Sequence, residues 1–102
     1  MIRWVPTVRF VGLSTQMLIA AMRIDDICKT MGVDCWITSA NDLTHMKGSL
    51  HYEGRALDFR TRDIPSALLS SFEAKVKAAL GNEFDVVMER DHLHVEYQPK
   101  AA

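Results

Sequence analysis

Cysteine is nearly absent from this chain. Cys28 and Cys35 are the only two, too few for the disulfide framework on which many small secreted domains depend. They also stand too far apart for a CxxC metal or redox pair. Both are expected to be reduced, with Cys28 at least packing like a small hydrophobe. Long apolar runs are missing as well. Met17 to Met22 is far too short to span a bilayer. The opening MIRWVPTVRFVG is broken by arginines and a proline, unlike the apolar core of a secretory signal. The expectation is a chain with no export signal and no membrane insertion. An excess of one charge is lacking too: 12 basic side chains face 13 acidic ones, and neither end forms a charged tail. That excludes the basic footprint of a nucleic-acid binder. There is no internal repeat and no low-complexity stretch.

What is present fits one small core. With 102 residues and 48% hydrophobic composition, a single domain over 1–102 is expected. Ser14 and Thr15 are plausible caps for a helix whose apolar positions, from Met17 through Cys28, recur at three- and four-residue steps. Gly32 suits the left-handed position just past its end. Cys35-Trp36-Ile37-Thr38 reads as a short strand, Ser39-Ala40-Asn41-Asp42 as a turn, and the polar stretch to Ser49 as a loop. In Ala56-Leu57-Asp58-Phe59-Arg60 the alternation places Leu57 and Phe59 on one face and Asp58 on the other. Pro65 fits the first turn of a second helix, with Leu68, Leu69, Phe72, Val76 and Leu80 as its stripe and Gly81 as its stop. Strands from Phe84 to Glu89 and from His92 to Tyr97 follow. The fold class is α+β: a mainly antiparallel sheet with two principal helices packed on it.

Only Arg90 and Asp91 separate the last two strands, so a two-residue turn sets Glu89 opposite His92, Val87 opposite His94 and Asp85 opposite Glu96. Residues directly opposite share a face. One face then carries Phe84, Val86, Met88, Leu93, Val95 and Tyr97, which makes a core surface. The other carries Asp85, Glu89, His92, His94 and Glu96. A polar face that simply meets water is ordinary for such a sheet. Two histidines on alternate positions beside a carboxylate also make a metal or acid-base site, although HxH alone is a weak motif.

A second cluster raises the weight of the chemical reading. Ser49-Leu50-His51-Tyr52-Glu53-Gly54-Arg55-Ala56-Leu57-Asp58 ends a loop and enters a strand, with Gly54 where the chain has to turn. Imidazole and carboxylate are both good zinc ligands, and three protein ligands plus water is the open geometry of a catalytic zinc.

This segment, SLHYEGRALD, resembles the zinc motif of hedgehog signalling domains. The same S-x-H-x-x-G-x-A-x-D pattern runs through bacterial and phage D-alanyl-D-alanine peptidases and murein endopeptidases. His92-Leu93-His94 resembles the closing HxH of that group, in which the second histidine binds zinc. The similarity runs in order from Ile37 through Tyr97. It implies zinc as cofactor, held by His51, Asp58 and His94, with Ser49 lining the substrate cleft and His92 beside the metal as an orienting or transition-state-stabilising group.

The activity so implied is amide hydrolysis, with zinc lowering the pKa of its bound water and polarising the scissile carbonyl. A general base must still take the water's proton, and the hairpin register nominates Glu89. Bacterial members often place that base three residues before the zinc histidine. Glu89 stands three before His92 and five before His94, so His92 as ligand with His94 as accessory group is the alternative register. The segment Thr38-Ser39-Ala40-Asn41-Asp42 also lacks the arginine with which many of these peptidases grip a substrate carboxylate. Arg55 or Arg60 could substitute only by pointing into the cleft, and either is as readily a surface side chain. His45 and Glu53 read as ordinary loop residues.

The resemblance points to a peptidase acting on peptidoglycan stem or cross-link peptides, such as a phage endolysin or a lysis module borne on a virion. Its expected location is the cytoplasm of the producing cell or the phage particle. The other class it leaves open is a zinc-bound, non-catalytic binding or virion structural module.

Overall fold

The computed structural model describes residues 2–40 and 55–99. In chain order its elements are β1 (Ile2–Trp4), α1 (Thr15–Met31), β2 (Cys35–Ser39), β3 (Ala56–Arg60), a 3-10 turn (Ser66–Leu68) running into α2 (Leu69–Leu80), β4 (Phe84–Met88) and β5 (His92–Tyr97). The α+β expectation holds. β1 is an addition: with three residues it has too little alternation to be read from sequence, and it pairs in parallel with β2.

α1 starts where its cap predicts, since the Ser14 side chain accepts the Met17 N–H at 3.2 Å. It ends at Gly32, whose φ of 72° is left-handed. There the Gly32 N–H reaches Lys29 O and the Val33 N–H reaches Cys28 O at 2.9 Å, the paired bonds of a Schellman motif. The second helical segment is split. Pro65 precedes a tight 3-10 turn, and regular helix begins only at Leu69.

The sheet runs β1-β2-β3-β5-β4, antiparallel except at β1–β2. Both helices cover one of its faces. Ile37, Leu57, Phe59, Leu93 and Val95 from that face share a single buried cluster with Met17 and Ile24 of α1 and Phe72 and Val76 of α2. Each such side chain contributes about 1.5–3 kcal/mol by leaving water. Cys28 and Cys35 are free and buried within the same cluster, as expected of small hydrophobes.

Two features of the sheet bear on the opposite face. β3 is its central strand, flanked by β2 and β5, so side chains on its far face are held from both sides. The β2–β3 register slips between Ile37↔Phe59 and Ser39↔Asp58, a bulge that sets Thr38 as the extra residue beside Asp58. Among the described residues no helix is long and apolar enough to cross a membrane.

Candidate metal centre

The register of β3 with β5 sets Asp58 directly opposite His94 and Arg60 opposite His92. Strand alternation turns all four away from the helices, and the hairpin register on the other side of β5 pairs Val87 with His94 and Asp85 with Glu96 as the two-residue turn predicts. Asp58 and His94 come together closely. Asp58 Oδ1 lies 2.8 Å from His94 Nδ1, and 3.7 Å from His92 Nε2.

His94 is engaged at both ring nitrogens. Its Nε2 faces Glu96 Oε1 at 2.7 Å, two residues along the same strand. Side-chain exposure is 14% for Asp58 and 21% each for His94 and Glu96, low enough for strong interaction yet open to a small ion. The hydrogen bond to Asp58 is the main influence raising the imidazole's pKa; partial burial opposes it, and Glu96 adds to it. The outcome is a ring pushed up from 6.5 to about 9, a cation clamped between two carboxylates. Glu96 is itself tethered: with its amide nitrogen turned toward the strand, as the surrounding acceptors require, Gln98 donates to Glu96 Oε2 at 3.1 Å.

His92 is held differently. Its Nδ1 contacts Asp91 Oδ1 at 2.7 Å, which draws the exposed Asp91 carboxyl below its usual range. Glu89 follows β4 with its backbone N–H bonded to His92 O at 2.8 Å. Its exposed carboxylate makes no hydrogen bond or ion pair among the described residues.

The chain matches the model of the hedgehog amino-terminal signalling domain over residues 15–97. It belongs to that family. The hedgehog domain is related to zinc peptidases, and the matched span contains both halves of the S-x-H-x-x-G-x-A-x-D and HxH pattern. A comparison with curated proteins gives no match. In this hedgehog-type domain the fold brings together Asp58, His92, His94 and, a residue that sequence reasoning had left on the polar face without a role, Glu96. The signal for it was the alternation His92, His94, Glu96; only the side-chain geometry shows that its carboxylate meets His94 Nε2.

The other site residues lie elsewhere. His51 and Ser49 fall outside the described residues, and among the described residues no complete group of three metal ligands occurs. Arg55 is turned toward Tyr97: its Nε donates to Tyr97 O at 3.1 Å and its guanidinium lies near the Tyr97 ring. Tyr97 packs against the helix-side core. Arg60 stands on the Asp58 face, stacked over Trp36 with its guanidinium carbon 4.3 Å from the ring centroid and paired through Nε to Asp63 at 2.5 Å.

Proposed function

We propose that this domain binds zinc through Asp58, His94 and His51 and hydrolyses amide bonds in peptidoglycan stem or cross-link peptides. The observation that carries the reading is the Asp58 Oδ1–His94 Nδ1 pair, 2.8 Å apart on adjacent strands, with the far nitrogen of His94 fixed by Glu96. A carboxylate and an imidazole converging in this way suit zinc, and an imidazole whose second nitrogen donates to a carboxylate is the usual way a zinc histidine is oriented. This arrangement also favours His94 over His92 as the histidine ligand, because His92 turns its Nδ1 to Asp91 and stands farther from Asp58.

Bound zinc would polarise the scissile carbonyl and make a water acidic enough to lose its proton near neutral pH. This chain's side chains divide the remaining work. Asp58 and Glu96 hold the His94 ring in a single orientation. His92 stands at the rim of the site with its Nδ1–H on Asp91 and its Nε2 toward Asp58, so that with a second proton on Nε2 it would donate to the oxyanion that develops on the substrate. Glu89 is the general base. Asp91 and Glu96 are each occupied by a histidine, whereas among the described residues the exposed Glu89 carboxylate has no such partner and is open to take a proton.

The test is release of new amino groups from purified peptidoglycan by zinc-loaded protein. Glu89→Gln is expected to lower that release by roughly 10²-fold or more with zinc content unchanged. A second reading, a zinc-bound module that recognises without cutting, is favoured by the signalling character of the matched family. It prevails if intact zinc-loaded protein releases nothing while a control endolysin does.

A further inference from the structure

Helix α1 and the sheet do not close on each other at the β1 edge. After Trp4 the chain leaves the sheet with one last bond, the Val5 N–H on Ile37 O at 3.1 Å. It then arches over to the start of α1 through turns closed by the Val8 N–H on Val5 O and the Leu13 N–H on Phe10 O. A T-shaped contact between Trp4 and Phe10, with ring centroids 5.6 Å apart, braces that arch. Between the arch and α1 lies a cavity of about 550 Å³, within the usual size of a small-molecule site. It reaches the core residues Ile37 and Leu57, so it lies on the helix side of the sheet, across from Asp58 and His94.

Apolar and charged groups are segregated in its lining. Trp4 and Phe10 wall one side, and Leu18 and Met22 of α1 wall the other. Trp4, Leu18 and Met22 are 54%, 50% and 68% exposed. Three large apolar side chains left wet around one hollow mark an interaction site, unlike apolar residues scattered singly over a surface. Charged side chains line the cavity only at the C-terminal half of α1, as Asp25, Asp26 and Lys29. Lys29 Nζ and Asp25 Oδ2 pair at 3.2 Å and offset each other. The Asp26 carboxylate is exposed and makes no hydrogen bond or ion pair among the described residues; the Thr30 hydroxyl donates to the Asp26 backbone carbonyl instead. Lys75 of α2 borders a second hollow shared with Asp26 without pairing with it.

We propose that this cavity binds a small apolar molecule carrying a single ammonium group, its hydrocarbon body between the arch and Met22 and its charge at Asp26. Burial of ligand carbon supplies the affinity, and the one unpaired carboxylate selects the head group. The site depends neither on zinc nor on the peptidase reading, because it lies on the other face of the sheet.

The experiment titrates the full chain, isotopically labelled, with phenylbutylamine, phenylbutanol and phenylbutyrate, which share one body and differ in head-group charge. Backbone amides and the Trp4 indole N–H are followed by NMR. The amine is expected to bind most tightly and the acid least, about tenfold apart, as one solvent-exposed charge contact of either sign gives. Shifts should centre on Trp4, Leu18, Met22 and Asp26 and spare Asp58 and His94. Asp26→Asn should bring the three ligands to within about twofold of one another. Leu18→Gln/Met22→Gln, which exchanges exposed residues for a good helix former, should weaken all three, and Ile19→Gln on another side of α1 should change none. Alcohol or acid binding as tightly as the amine, no saturable shift at Trp4 with any ligand, or an amine preference that persists in Asp26→Asn overturns the proposal. The Asp26→Asn comparison decides on its own should the double variant fail to fold.

Discussion

The two faces of the sheet are made from alternate residues of the same strands, yet they depend on their neighbours in opposite ways. On β3, Leu57 and Phe59 are 0% and 2% exposed, and on β5 Leu93 and Val95 are completely buried. Each is held by many weak contacts, no one of which is essential, so volume matters more than identity. Asp58 and His94, interleaved with them, depend on a few named atoms: one oxygen of Asp58 and one of Glu96 fix both nitrogens of one ring. Stability and chemistry are thus carried by adjacent residues of one strand and should be separable by substitution.

The sharpest way to break that division is to cross the two faces. Leu57→Ala should cost about 2–5 kcal/mol in denaturant unfolding of the metal-free protein while leaving zinc affinity of the folded molecules unchanged. His94→Ala should abolish stoichiometric zinc in metal analysis, with the smaller stability loss of the two. If the core variant loses zinc, or the histidine variant keeps it, the faces are not independent. A finer cut is Glu96→Gln, which keeps shape and removes charge. Calorimetric titration should show zinc binding about 10–100-fold weaker with an unaltered circular dichroism spectrum, and an unchanged affinity would return Glu96 to the status of a surface carboxylate.

The smallest expected effect is in pH dependence. The folded state raises the His94 pKa from 6.5 to about 9, so it binds that proton more tightly than the unfolded chain does. The resulting stabilisation is fully present below pH 6.5 and lost as pH climbs through about 9. Zinc at Nδ1 has to displace the same proton, so its apparent affinity should rise over that window. Melting temperatures of the metal-free protein and of its His94→Gln variant, measured across pH 6 to 10 as a range of about four units, should converge at the alkaline end. Parallel curves would mean that the two carboxylates do not hold the ring as a cation.

Much of this was legible in the residues, for identifiable reasons. The bounds of β3 and β5 follow from period-two alternation, and the limits of α1 follow from Ser14 and Gly32, because those residue types carry the capping chemistry themselves. The facing of Asp58 and His94 was reachable only through the resemblance, since strand order β3-β5 depends on non-local pairing that no local pattern encodes. Arg55 illustrates the opposite case. Adjacent in sequence to the motif's other members, it turns toward Tyr97, because neighbouring residues of an extended chain point to opposite sides. Glu96 was visible as a face but not as a contact, and the splitting of the second helix after Pro65 depended on backbone detail below the resolution of an apolar stripe.

Asp58 and His94 stand 36 positions apart in sequence, so their contact is a non-local one. In a zinc finger the ligands lie close along the chain and the ion can gather them early. Here the pair requires β5 to be docked on β3, a contact of high sequence separation, so an ion bound there would add its energy only once that non-local strand pairing exists. An ion held there would act as a late latch, lengthening the lifetime of the folded molecule more than it hastened its formation.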